Sequence, residues 1–155
     1  INQCVNDYNA IPISSDKLYD LDADIFCPCA IGGVVNDFFI KKMKFKIIAG
    51  AANNILEDYS KHGKMLFEKG VLYAPDYVIN AGGLINIYNE FKDIYDRNNI
   101  FSQVDRINDT LINIFEISHR DNIATNIVSD RLAINIIQKA EKDNASRIKQ
   151  AESCE

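Results

Sequence analysis

Four short apolar runs constrain this chain more than anything else in it. They are Ala10-Ile11-Pro12-Ile13, Asp24-Ile25-Phe26-Cys27, Lys46-Ile47-Ile48-Ala49 and Val71-Leu72-Tyr73-Ala74, each followed by Ser, Pro or Gly. Runs this short and this continuously apolar suit strands buried on both faces, as in a parallel sheet covered by helices. Stretches with helical potential lie between them or beside them: Gln3 to Asn9, Val35 to Met43 and Asn54 to Lys69. Strand and helix alternating at this spacing predict βαβ units, right-handed crossovers and an α/β, doubly wound parallel sheet.

After Tyr77 the pattern becomes purely helical. Leu84 to Tyr95 follows the Gly82-Gly83 pair as a helix. Phe101, Val104, Ile107, Leu111, Ile114 and Ser118 then fall on one helical face. Val128, Leu132, Ala133, Ile136, Ile137 and Ala140 form a similar stripe on a last helix, with Thr125 or Ser129 as its cap. Both stripes read as packing surfaces, in the core or between subunits. Beyond Glu141 the stripe thins, and Asp143 to Glu155 read as a frayed tail.

Composition narrows the function classes. With 155 residues, 47% hydrophobic and 25% charged, the chain is about one globular domain. A net charge of -5 with scattered Lys and Arg argues against a nucleic-acid partner. No apolar run approaches the roughly 18 residues that span a bilayer, so no membrane partner is expected. Cys4, Cys27, Cys29 and Cys154 lack metal-site spacing and read as free, mostly buried thiols of a cytoplasmic protein. No metal site is expected. His62 and His119 read as helix-end residues favoured there as cations.

In an open parallel sheet, ligands bind beyond the carboxyl ends of the strands. The segments there are Pro28 to Gly33, Gly50 to Asn54 and Pro75 to Gly83. All three are rich in Gly or Ala and offer amide side chains in place of charges. Small residues let a ligand approach the backbone, and Asn supplies the donor and acceptor that a carboxamide needs. Each segment alone also reads as an ordinary turn.

At these loops the sequence resembles the leucine, valine, phenylalanine and glutamate dehydrogenases. The resemblance is carried by Asp24-Ile-Phe-Cys-Pro-Cys-Ala-Ile-Gly-Gly-Val-Val-Asn-Asp37, by Ile47-Ile-Ala-Gly-Ala-Ala-Asn-Asn54, and most specifically by Tyr73-Ala-Pro-Asp-Tyr-Val-Ile-Asn-Ala-Gly-Gly-Leu-Ile-Asn86. It extends from Ile1 to about Lys139 and is closest to the leucine dehydrogenases. It implies a partial Rossmann-type NAD-binding domain over residues 1–82, and helices over 83–142 that pack back on the fold. It also implies that the first strand, the Gly-rich phosphate turn and the domain with the catalytic Lys and Asp are not part of this chain, which holds no catalytic residue. The alternative is an inactive remnant serving as an interaction module.

Carried over by motif, Cys29, Ala30 and Ile31 line the ribose side of the cofactor. Asn53 meets the nicotinamide ribose or carboxamide, and Asn80 holds the nicotinamide end. Asn54 lies towards the substrate α-carboxylate, while Leu84 and Ile87 wall the side-chain pocket. Two aliphatic side chains cannot satisfy a buried second carboxylate, which would cost roughly several kcal/mol, so glutamate is disfavoured. The implied whole enzyme is a homo-oligomer that oxidatively deaminates a branched-chain L-amino acid with NAD. Leu84 departs from the Val usual in leucine dehydrogenases, which keeps phenylalanine and valine dehydrogenases as alternatives.

Overall fold

A computed structural model describes residues 1–92 and 95–152. Three strands of two residues each, β1 (Ile25–Phe26), β2 (Ile47–Ile48) and β3 (Leu72–Tyr73), form a parallel sheet in the order β1-β2-β3. The register aligns Phe26 with Ile48 and Ile48 with Tyr73. These three side chains share one face, and that face is the core. The helices α2 (Asp37–Lys42) and α3 (Tyr59–Glu68) are the crossovers between successive strands. Phe39 of α2 stacks its ring 4.7 Å from Phe26 and 6.1 Å from Phe45. Val35, Ile55 and Leu66 complete the same buried cluster.

The opposite face is less covered than continuous apolar runs predict, for Ile25 is 56% and Leu72 38% exposed. The run Ala10 to Ile13 also departs from expectation. It is not a strand, and Ile11 is 85% exposed. A strand exists only through the neighbour that accepts its backbone hydrogen bonds, and among the described residues no strand lies beside this one. Its apolar composition therefore goes unused.

Polar caps fix the helix starts. The Asn36 side chain accepts the Phe39 N–H at 3.0 Å and Asp58 accepts the Lys61 N–H at 2.8 Å, satisfying amides that have no partner within the helix. α3 thus starts five residues later than the stretch beginning at Asn54 suggests. That shift also relocates His62. It stands in the first turn of α3, 1% exposed, with its Nδ1 accepting the Asp58 N–H at 2.9 Å and its Nε2 3.8 Å from Asp37. It is buried near the start of the helix, not exposed near its end. His119, exposed in the last turn of the helix Arg97–Asp121, is where the sequence puts it.

The remaining helices are α1 (Asn2–Tyr8), α4 (Asp76–Ile79), α5 (Gly82–Phe91), α6 (Arg97–Asp121) and α7 (Thr125–Glu152). Asp93 and Ile94, in the expected extension of α5, lie outside the described residues. α6 turns Val104, Ile107, Leu111, Ile114 and Ser118 inward, but Phe101 is exposed and Ile100 is buried in its stead. α7 crosses α3 at Gly63, where an added Cβ would lie 2.4 Å from the buried Asn126 side chain. A helical Gly costs about 1 kcal/mol against Ala; here it permits the approach that lets Asn126 donate to the Tyr59 carbonyl at 2.9 Å.

Neither expected cap of α7 acts as one. Thr125 is already helical and donates to the Tyr73 carbonyl at 2.7 Å, while Ser129 donates to the Asn126 carbonyl at 2.9 Å. Val128 is buried, yet Ile136 and Ile137 are 70% and 58% exposed, so the second half of the stripe is uncovered. The expected tail is helical as far as Glu152, and residues 153–155, Cys154 among them, lie outside the described residues. No described helix is long and apolar enough to cross a membrane.

The thiols correct another expectation. Cys4, Cys27 and Cys29 are free and exposed instead of buried. For the last two the cause is alternation: Phe26 and Pro28 turn inward, so Ile25, Cys27 and Cys29 face out.

Candidate functional site

The loops beyond β1, β2 and β3 meet, and their small residues are what allows it. The Pro28 carbonyl accepts the Ala52 N–H at 2.9 Å and the Asn54 carbonyl accepts the Gly33 N–H at 2.7 Å. A Cβ on Gly32 would lie 2.5 Å from the Asn53 carbonyl oxygen, and one on Gly50 would lie 2.2 Å from that of Pro28. Both positions need glycine for close approach. The first two loops therefore run backbone against backbone.

The third loop joins them through side chains. Asn80, the residue after α4, donates from Nδ2 to Asn53 Oδ1 at 2.7 Å and towards the Ala51 carbonyl at 3.4 Å. The NH2 of Asn53 and the side-chain oxygen of Asn80 have no partner among the described residues. One free donor and one free acceptor therefore sit side by side, and exchanging the two ends of both amides leaves the same complement. Asn54 adopts a left-handed backbone, φ 52, a conformation Asn tolerates better than most residues.

Of the other sequence-derived residues, Cys29, Ala30 and Ile31 lie exposed on the first loop, which is laced to the second. Leu84 and Ile87 are three residues apart on α5, 71% and 61% exposed, and share a face. The structure thus joins Asn53 and Asn80 directly, sets Asn54 next to them, and leaves Leu84 and Ile87 open to solvent on the helix that follows.

Sequence reasoning gave no role to Asp76. It is buried after Pro75 at the start of α4, with Oδ2 accepting the Ile55 N–H at 3.1 Å and Oδ1 the Tyr77 N–H at 2.9 Å. It ties the Asn53-Asn54 loop to the segment carrying Asn80. Behind that loop lies a cavity of about 320 Å³ lined by Asn53, Asn54, Tyr59, Tyr73, Asp76 and Tyr77 among others. Tyr59 and Tyr77 both donate to Asp130 of α7, at 3.0 and 2.8 Å. Burial holds the phenols of Tyr59 and Tyr73 well above the ordinary tyrosine range. Partners more than 50 residues apart leave no local signal; only the acidic residue after Pro75, a helix-start pattern, was readable. Among the described residues no cluster of three or more His, Cys, Asp or Glu side chains could hold a metal ion.

Known proteins share this fold. The sequence model of the glutamate/leucine/phenylalanine/valine dehydrogenase family matches residues 2–154, and the chain belongs to that family. It is 43% identical over 145 residues to a leucine dehydrogenase of Thermoactinomyces intermedius, covering 94% of this chain and 39% of that protein. It is 47% identical over 141 residues to an L-tryptophan dehydrogenase of Nostoc punctiforme, covering 91% of this chain and 40% of that protein. The crystal structure of L-tryptophan dehydrogenase from Nostoc punctiforme superposes with a TM-score of 0.85 at 46% identity, over 91% of this chain and 42% of that one. The chain spans about two-fifths of the length of these relatives.

Proposed function

We propose that this chain is the cofactor side of an NAD-dependent L-amino-acid dehydrogenase that oxidatively deaminates an apolar, branched-chain substrate to its 2-oxo acid and ammonia. The observation that carries the reading is the Asn53–Asn80 pair, whose free donor and free acceptor match the carbonyl and NH2 of a carboxamide. NAD would supply the acceptor for the hydride that leaves the substrate Cα. Asn53 and Asn80 would orient the nicotinamide end, and Cys29, Ala30 and Ile31 would flank the ribose side on the adjoining loop. Positioning of this kind, together with exclusion of water, is the protein's contribution to cofactor chemistry. Asn54 would face the substrate carboxylate. No catalytic residue is assigned to residues 1–155; the proton acceptor would come from the amino-acid-binding half.

Leu84 and Ile87 support an apolar substrate, because neither can compensate a buried carboxylate. A second reading, an aromatic substrate, is favoured by the likeness to the L-tryptophan dehydrogenase of Nostoc punctiforme. The division into a cofactor part, residues 1–82, and returning helices, 83–142, belongs to the same proposal. So do a cytoplasmic location and a homo-oligomer, for which the uncovered Ile136 and Ile137 offer an apolar contact surface.

A chimera tests this. The chain replaces the matching segment of the Bacillus cereus leucine dehydrogenase to which it is 44% identical, and NAD reduction is followed with L-leucine, L-tryptophan and L-glutamate. The expected result is turnover of leucine above glutamate, and a KM for NAD about tenfold higher in Asn80→Ala from the loss of its hydrogen bonds. Preference for glutamate, or an Asn80→Ala chimera with unchanged kinetics, overturns the proposal. Faster turnover of tryptophan than of leucine selects the second reading.

A further inference from the structure

We propose that Cys27 and Cys29 are a peroxide-modified dithiol that closes to an internal disulfide at the carboxyl end of β1. The inference stands on the two thiols themselves and not on the cofactor role given to Cys29. Residues i and i+2 of an extended segment point to the same side. Here that places the two sulfurs 3.5 Å apart, both free and both exposed. A disulfide bond is about 2.0 Å long, so the sulfurs must approach by roughly 1.5 Å.

The backbone beside them is tied to the second loop. The Phe26 carbonyl accepts the Ala49 N–H at 3.0 Å, the Pro28 carbonyl accepts the Ala52 N–H at 2.9 Å, and buried Pro28 packs against Gly50. Rotation about the two Cα–Cβ bonds turns the sulfurs towards each other, and closure also needs the backbone at Pro28 to bend until the two Cβ atoms stand within about 4.5 Å, so the disulfide loosens these contacts.

The thiols are also unequal. The Ala51 N–H beside the Cys29 sulfur lowers the pKa of that thiol, while burial, with the neighbouring Cys29, raises that of Cys27. Cys29 is therefore the nucleophile and Cys27 the partner that keeps its proton. In the first step the Cys29 thiolate attacks one oxygen of hydrogen peroxide. The S–O bond forms, the O–O bond breaks, and hydroxide leaves with the proton Cys29 had released, as water. In the second step the Cys27 sulfur attacks the Cys29 sulfenic acid. The S–S bond forms, the S–O bond breaks, and a second water leaves with the Cys27 proton. Two thiols are oxidised and one peroxide is reduced.

The test is made on the whole 155-residue chain. It is treated with hydrogen peroxide, blocked with N-ethylmaleimide and digested with trypsin, and the peptide of residues 18–41 is weighed. We expect that peptide to lose two hydrogens, to carry no maleimide, and to recover both thiols with dithiothreitol. Cys27→Ser is expected to gain oxygen on Cys29, and Cys29→Ser to leave Cys27 open to maleimide with at least a tenfold slower reaction with peroxide. The proposal is overturned if the parent peptide keeps both maleimides at the peroxide dose that oxidises Cys27→Ser. It is equally overturned if either thiol pairs with Cys4, Cys154 or a second chain.

Discussion

Replacing Asp76 by alanine separates the carboxyl group from everything else that holds the second and third loops together. Ile55 is fully buried and its N–H has the Asp76 Oδ2 as partner at 3.1 Å; an orphaned buried amide costs about 1–3 kcal/mol. The Tyr77 N–H lies in the first turn of a short helix, on an exposed residue, and can turn to water at little cost. The Tyr73 hydroxyl is buried and loses a long contact of 3.4 Å, which adds about 0.5–1 kcal/mol at most. The total is about 2–4 kcal/mol. For a chain of this size that is a drop in Tm of about 4–16 °C, or about 1–2 M in the urea midpoint at a slope of about 2 kcal/mol/M. Asp76→Asn keeps one acceptor but turns an NH2 group on another donor, so it should show roughly half the loss. Urea unfolding followed by circular dichroism gives the number, and hydrogen exchange at the Ile55 amide locates it. Asp76→Ala within about 0.5 kcal/mol of the parent, the range of an ordinary surface change, would refute the reasoning.

Two further outcomes follow from the same geometry. Gly50→Ala sets a methyl group against the Pro28 backbone and should cost about 1–3 kcal/mol, whereas Gly83→Ala, with nothing within 4 Å, should leave the thermal midpoint unchanged or raise it. Above about pH 10, the ordinary phenol pKa, an unfolded chain ionises its tyrosines while Tyr59 and Tyr73 in the fold stay neutral. Stability present below that pH is therefore lost as pH rises, and Tyr59→Phe should flatten the alkaline fall in Tm; an unchanged slope would contradict it.

The parts of the fold legible in the sequence were those with a local cause. Phe26, Ile48 and Tyr73 sit in apolar runs because they face the core, and the glycines beyond them mark where loops touch. That ligands gather at strand ends groups the loops holding Asn53 and Asn80, and the family resemblance singles out those two residues, which the structure joins by a hydrogen bond. Features set by distant partners were not legible. Ala10 to Ile13 carries a strand's composition without a neighbour, and His62 is buried because Asp58, not an earlier residue, starts α3. The exposure of Cys27 and Cys29 is not legible either, because cysteine's general preference for burial says nothing about which side of the segment after β1 it occupies. The bonds from Tyr59 and Tyr77 to Asp130 join positions more than 50 residues apart, and no window of sequence contains both ends.

The order β1-β2-β3 follows the order of synthesis, with paired residues 22 and 25 positions apart. Loop-closure entropy changes by only about 0.6 kcal/mol for each doubling of length, so two such similar closures differ negligibly. What each pairing buries, and when it leaves the ribosome, must then decide the sequence of events. Phe26, Phe39 and Phe45 all emerge before β3. The aromatic cluster can therefore form around the first crossover and present β2 as a template on which the next strand adds, each unit folding on the one already made.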